Sequence, residues 1–292
     1  MFISSQLEKH LVGVSHSYGY PPGVKNLPSM TSTSVPYTEP SDVIDSYVRD
    51  HLTGNEALYE LDLAALESAR PDFIVSQALC DVCAVSTGDV AVALDALSSR
   101  PQIIDLEPNT LDEVFADCKR VGEALGFESA TRDLFNQLNA RRTTVSARSA
   151  AIPINERPRV AYLEWLLPPF NGGHWNPELV ELAGGIDVLG AHGKPSSTIT
   201  WDQVIESKPD VLFIACCGFS SERALEDVIE LQTGDEWQQM QAIFNARVLL
   251  ADGNDFFSRP GPRLVDGLEI MAHALHPDVH PVSRYGSCIT VR

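Results

Sequence analysis

Asp62-Leu-Ala-Ala-Leu-Glu-Ser-Ala-Arg-Pro-Asp-Phe-Ile-Val-Ser76 and Thr200-Trp-Asp-Gln-Val-Ile-Glu-Ser-Lys-Pro-Asp-Val-Leu-Phe-Ile214 say nearly the same thing twice. Each opens on a side chain suited to capping a helix, continues with apolar residues at helical spacing, breaks at Pro-Asp and ends in a short apolar run. That order predicts a capped helix, a turn and a buried strand. A cysteine-bearing loop follows each strand, Cys80-Asp-Val-Cys83 in the first copy and Cys216-Cys217-Gly-Phe219 in the second. The pair predicts two similar α/β lobes whose loops face one another across a cleft.

Outward from the first copy, Gln102–Leu106 reads as a further strand and Val90–Ser98 as the helix before it, so helices alternate with strands and the sheet is expected to be parallel. Ahead of it, Asp42–His51 has helical spacing, and the stretch to about Pro40 reads as one strand at Leu11–Val14 followed by loop. From Asn109 to Ala150 no strand pattern occurs. Leu111, Val114, Phe115, Cys118, Val121, Leu125, Leu134, Phe135 and Leu138 recur at helical intervals, with Gly126 the weak point. Crossover helices in α/β folds run to about 10–15 residues, so this longer stretch is expected to link two halves. The predicted organisation is an α/β lobe over 1–108, a long linking helix over 109–150 and a second α/β lobe over 151–292. In that second lobe the spacing predicts strands at Arg159–Glu164, Val211–Ala215 and Arg247–Ala251. Helices are predicted at Pro177–Ala183, Trp201–Ser207, Glu222–Leu231, Glu236–Ile243 and Arg263–Leu275.

The 292 residues carry 40 acidic against 21 basic side chains, a formal charge of -19, so the average surface repels a nucleic-acid backbone. Met1–His10 has neither a basic nor an apolar segment of the kind that directs export, and no run approaches membrane-spanning length. As written, the sequence predicts a cytoplasmic protein with reduced thiols and no membrane insertion. An extracytoplasmic location is expected instead if the N-terminus is truncated.

Three places have the residue types for chemistry or binding. Cys80 and Cys83 have the spacing of half a metal site or a redox pair, and His16, His174, His192 and Cys217 are the candidates to complete it. The other reading of these cysteines is small, buried, semi-apolar packing. Glu164-Trp165-Leu-Leu-Pro-Pro-Phe170-Asn-Gly-Gly-His174-Trp175 concentrates aromatic residues in a Gly/Pro loop after a strand, as ligand clefts do, or packs on its own lobe. Phe256 and Phe257 are a comparable cluster, with Arg259 and Arg263 placed to cap or to pair with acidic groups. No nucleophile elbow, P-loop, dinucleotide fingerprint or HExxH is present, which favours binding over catalysis. The competing reading is a metal- or thiol-dependent enzyme with Cys80, Cys83, His174 and Cys217 as ligands or nucleophile.

Leu11-Val-Gly-Val-Ser-His16, Tyr20-Pro-Pro, Leu58-Tyr-Glu-Leu-Asp62, Arg70-Pro-Asp72, Cys80-Asp-Val-Cys-Ala84, Glu164-Trp165, Gly173-His-Trp175, Glu181-Leu-Ala-Gly-Gly185, Cys217-Gly-Phe219 and Arg259-Pro-Gly-Pro-Arg263 occur in that order along nearly the whole chain. In these stretches the sequence resembles the class III substrate-binding proteins of ABC importers, in particular the cobalamin-binding-protein-like branch. The resemblance implies two Rossmann-like lobes with parallel sheets joined by one long backbone helix. It also implies a ligand of the cobalamin, metal-tetrapyrrole or chelate class held between the lobes without chemistry or a required cofactor. Carried over by position, Tyr20, Gln77, Cys80 and Asp81 would line the first lobe's wall, and Trp165, His174, Trp175, Cys217, Phe219 and Phe257 the second. Asp89 and Glu222 would be the acidic residues that dock on an ABC permease. Family members begin with a strand and loop ahead of the position of Leu7 and have a Cys-Asp pair where this sequence has Tyr18-Gly19. The first lobe is therefore expected to lack its first strand.

Overall fold

Both copies of the helix–turn–strand unit form, and each organises the sheet around it. The computed structural model describes residues 8–54, 57–77, 97–235, 237–238 and 247–291. The chain divides into two compact units, Met1–Pro108 with Arg120–Ala130, and Asn109–Lys119 with Thr131–Arg292.

In the N-terminal unit, strands β1 (Thr31–Thr33) and β2 (Tyr59–Leu61) pair antiparallel, with helix α1 (Ser41–Gly54) between them in the chain. Helix α2 (Leu63–Ala69) starts at Asp62, whose carboxylate accepts the Ala65 amide at 2.8 Å, one of the donors that a first turn leaves open. It stops at Arg70, in the left-handed region at φ 46°, directly before Pro71. Strand β3 (Phe73–Gln77) then runs parallel to β4 (Gln102–Leu106), and the Asp72 carbonyl accepts the Gln102 amide at 2.9 Å. Successive β3 side chains serve opposite faces. Ile74 packs on Met30, Leu66 and Leu97, while Phe73 and Val75 pack on Ile104, Leu106 and Val121.

Leu11–Val14 does not form the predicted strand. Val14 makes one isolated bridge to Ser29, because the chain turns at once, with the Tyr18 amide bonded to the Ser15 carbonyl and a 3-10 turn at Pro22–Asn26. The stretch read as one linking helix is two, α3 (Leu111–Ala124) and α4 (Glu128–Ala150). Gly126, at φ 73°, supplies the left-handed stop between them, and the Gly126 and Phe127 amides bond back to the Glu123 and Gly122 carbonyls.

The C-terminal unit is built on one six-stranded sheet. Its strands are β5 (Arg159–Leu166), β6 (Pro169–Asn171), β7 (Ile186–Asp187), β8 (Val211–Ile214), β9 (Arg247–Leu250) and β10 (Ile289–Val291). The order is β10-β9-β8-β5-β6, with β7 also paired to β5; β5, β7, β8 and β9 are parallel, and β6 and β10 antiparallel. Among the described residues, helices α5 (Asn176–Leu182), α6 (Trp201–Glu206), α7 (Ser221–Leu231), α8 (Gly253–Phe256) and α9 (Leu264–Leu275) belong to the same unit. Thr200 and Gln203 form a reciprocal capping box on α6, which ends before Lys208, again left-handed at φ 49° and again followed by proline. The carbonyl of Asp210 accepts the Arg247 amide at 3.1 Å, the counterpart of Asp72 and Gln102, and its carboxylate accepts the Arg159 amide at 2.8 Å. Every residue of β8 is buried. Arg141 of α4 pairs with Asp266 and Glu269 of α9 at 2.6 and 2.8 Å, fastening these two helices together. The helices predicted at Val90–Ser98 and Glu236–Ile243 lie largely outside the described residues.

Candidate functional site

The carboxyl ends of β5, β8 and β9 come together, and in open α/β sheets this is the edge where ligands bind. Three backbone hydrogen bonds tie the loops that leave it: Cys217 N to Glu164 O at 2.8 Å, Ala251 N to Ile214 O at 2.8 Å, and Asn254 N to Phe219 O at 3.0 Å. Gly253 permits the closest approach, since a Cβ there would stand 2.1 Å from the Cys216 carbonyl oxygen.

Trp165, half-buried at the end of β5, lies against Phe219 with ring centroids 4.8 Å apart and donates its indole N–H to the Leu167 carbonyl at 3.2 Å. On Phe219 rests the Arg223 guanidinium, 4.4 Å from the ring centroid, itself paired with Asp227 at 3.0 Å. Phe219 is 2% exposed, so it is packed between Trp165 and Arg223, and Trp165 is the ring of this stack that keeps exposed surface at the carboxyl edge. Trp165 and Phe219 were expected wall residues; Arg223, which stands four residues after Phe219 on α7, was not among them.

A second group surrounds Glu164. One carboxylate oxygen, Oε1, accepts the Gly173 amide at 2.7 Å and the Asn176 side-chain amide at 2.8 Å. Between these two residues His174 is left-handed at φ 51°, held by its amide to the Lys194 carbonyl at 2.6 Å and by its carbonyl to the Gly193 amide at 3.0 Å. Burial lowers the His174 pKa, and the charge of Glu164 opposes that shift. The His174 Nε2 and the Asn176 Oδ1 are buried and have no hydrogen-bond partner among the described residues.

Other predicted wall residues occupy different places. Phe257 is 0% exposed and packs on Tyr162 and Phe213 at 6.1 and 5.5 Å between ring centroids, so it builds the core of the unit. Trp175 is 3% exposed and donates its indole N–H to the Phe257 carbonyl at 2.8 Å, a core role as well. Apolar loop residues folded back onto the sheet here because the Gly172-Gly173 turn brings Trp175 over it. Phe256 is covered by Arg263 at 4.3 Å, and Arg263 also pairs with Asp255 at 3.0 Å, while Arg259 donates to Asn254 at 2.5 Å. Cys217 is half-buried beside Glu164. Its neighbour Cys216 is buried, and burial pushes that thiol far above the usual range. In the N-terminal unit Tyr20 is 38% exposed and Gln77 ends β3, half-buried opposite Leu106. Cys80, Asp81, Cys83 and Asp89 lie outside the described residues. Among the described residues, no group of three or more His, Cys, Asp or Glu side chains is placed to hold a metal, so His174 and Cys217 belong to no such set there. Glu222 is exposed in the first turn of α7, where a backbone N–H and then the Ser220 hydroxyl hold its carboxyl below the usual range.

A largely parallel sheet flanked by helices, with loops gathered at its carboxyl ends, is an open α/β architecture. The periplasmic binding protein family matches residues 4–254, and the chain belongs to that family. Over 178 residues it is 24% identical to a vitamin B12-binding protein of Vibrio cholerae, a match spanning 57% of this chain and 57% of that relative's length. Among solved structures it is similar to an ABC transporter substrate-binding protein from Listeria monocytogenes EGD-e (TM-score 0.66, 17% identity, 93% of this chain and 94% of that one). It is also similar to a periplasmic heme-binding protein from Roseiflexus sp. RS-1 (0.66, 20%, 91% and 89%) and to the periplasmic vitamin B12 binding protein of Vibrio cholerae (0.59, 20%, 91% and 88%). The structural likeness establishes the fold: two α/β lobes of the periplasmic binding type.

Proposed function

We propose that this protein is a non-catalytic substrate-binding protein that takes up cobalamin or a related metal-tetrapyrrole or chelate and delivers it to an ABC permease. The observation that carries the reading is the family match over residues 4–254 combined with the half-buried Trp165 on Phe219 at the carboxyl edge of the C-terminal sheet. A corrin or porphyrin presents a broad flat face, and a fixed aromatic ring buries much of it at little cost in side-chain entropy. From the C-terminal unit the half-buried Trp165, backed by the buried Phe219, offers the aromatic face, with the half-buried Cys217 on the same edge. The chelate is a ligand, and no cofactor is needed. Among the described residues no helix is long and apolar enough to cross a membrane. The family's periplasmic character supports an extracytoplasmic location over the cytoplasmic one that the N-terminal sequence suggested. Glu222, exposed at the start of α7, is the docking acid offered to basic permease residues on this unit.

The test is a titration of the purified reduced protein with cyanocobalamin, and separately with hemin, following the visible band of the chelate and the tryptophan fluorescence. One of the two is expected to give a saturable shift with quenching at one equivalent. If neither band nor fluorescence changes at saturating chelate, the reading fails.

A further inference from the structure

The pairing of β5 with β6 contains an irregularity at one residue. Leu163 faces Asn171 and Trp165 faces Phe170, so a single extra residue, Glu164, stands on the β5 side. Such a bulge turns a side chain away from the direction that strict alternation would give it. Glu164 uses that freedom to hold the Gly173 amide and the Asn176 side chain with one oxygen.

The segment it holds has no slack. A Cβ on Gly172 would stand 2.8 Å from Tyr162 Cδ1, and one on Gly173 would stand 2.2 Å from the Ser196 nitrogen. The Asn171 side chain bridges the Leu189 carbonyl and the Ser197 amide at 2.8 and 2.7 Å. Within this clamp His174 keeps a left-handed backbone that a β-carbon ordinarily disfavours, and two buried polar atoms, His174 Nε2 and Asn176 Oδ1, have no hydrogen-bond partner among the described residues. A strained residue next to unsatisfied polar atoms is stable only where its surroundings over-determine it, and such places are where proteins meet ligands.

We infer that Glu164 is a positioning residue: from its bulge it fixes the Gly172–Asn176 turn, and through that turn the His174 imidazole and the adjoining Trp165, in the geometry that receives the flat chelate. This rests on the chelate-binding reading above. Glu164 acts through the loop, because the oxygen that accepts both hydrogen bonds is already engaged. Its role therefore depends on an acceptor oxygen and not on the negative charge.

The test compares Glu164→Ala with Glu164→Gln in the full chain. The amide oxygen of glutamine accepts both hydrogen bonds, so Glu164→Gln is expected to stay within about threefold of the parent affinity for whichever of cyanocobalamin and hemin binds. Glu164→Ala is expected to lose about 10- to 100-fold, the usual scale for removing a residue that orients a liganding group. Hydrogen exchange in the ligand-free protein gives the second readout. In Glu164→Ala the Gly173 amide should exchange at least about tenfold faster, while the Leu212 and Phe213 amides of β8 keep their protection. If Glu164→Ala binds within threefold of the parent, or if Glu164→Gln falls as far as Glu164→Ala, the inference is wrong. A parent that binds neither chelate would sink the functional reading, and the Gly173 exchange would still decide whether Glu164 holds the turn.

Discussion

The two copies of the helix–turn–strand unit share their punctuation and differ in what surrounds them. Asp62 and Thr200 cap their helices, Arg70 and Lys208 stop them in the left-handed region, and the Asp72 and Asp210 carbonyls begin the pairing with the next parallel strand. Yet β3 is half-buried along its whole length, whereas β8 is buried at every position between β5 and β9. Local signals therefore decide that a helix, a turn and a strand will form and where each ends. The neighbours supplied by the rest of the chain decide how much the strand contributes to stability.

Cutting the same aromatic residue from each strand sharpens that contrast most. Phe213→Ala, in the aromatic core with Tyr162 and Phe257, is expected to cost about 4 kcal/mol, and Phe73→Ala about 2 kcal/mol, read from urea midpoints at constant slope. Acid separates the units next. His280, 2% exposed and bonded through Nε2 to the Ser149 hydroxyl at 3.1 Å, has its pKa lowered to about 4 by burial and by His276, Arg148 and His273. The folded state then resists a proton that the unfolded chain accepts, so stability falls as pH drops from about 6.5 to about 4 and levels off below. The loss is expected to be about 2 to 3 kcal/mol, confined to the C-terminal unit and absent in His280→Asn. A pH series of thermal melts with tryptophan detection checks it.

Removing the caps treats the copies alike, since both rely on a side-chain oxygen. Asp62→Ala and Thr200→Ala should each cost about 1 kcal/mol, since each removes the one side-chain oxygen that accepts an open first-turn amide, while the Thr200 backbone N–H keeps its bond to the Gln203 side chain. The smallest effect has the opposite sign. Arg70→Gly and Lys208→Gly relieve a left-handed residue at the cost of a looser unfolded chain, for a net gain of about 0.5 kcal/mol each. Equal gains would show that the two stops are the same device.

Much of this was legible because it is written in short-range chemistry. The Pro-Asp turns, the capping residues and the apolar strand runs all act within a few residues of themselves, whereas Gly126 reads as a weak point in one helix and in fact ends it. The short strands β1, β2, β6, β7 and β10 were not read, since two or three residues show no period and each exists only through its partner. In the candidate site, Trp165 was visible as an aromatic residue at the end of a strand. The same pattern also takes in Phe219, Phe257 and Trp175, which are all buried, because composition does not say which way a loop closes. Glu164 was visible only as a charge at the end of an apolar strand, and the bulge that gives it its task depends on pairing with residues five to seven positions further on.

Whether this chain carries a chelate, as proposed, is decided by whether the protein retains one. The protein is saturated with cyanocobalamin, or with hemin, and passed over a desalting column. Close to one equivalent of one of them is expected to leave the column with the protein, recognisable by its visible band. Protein that emerges free of both chelates would contradict it.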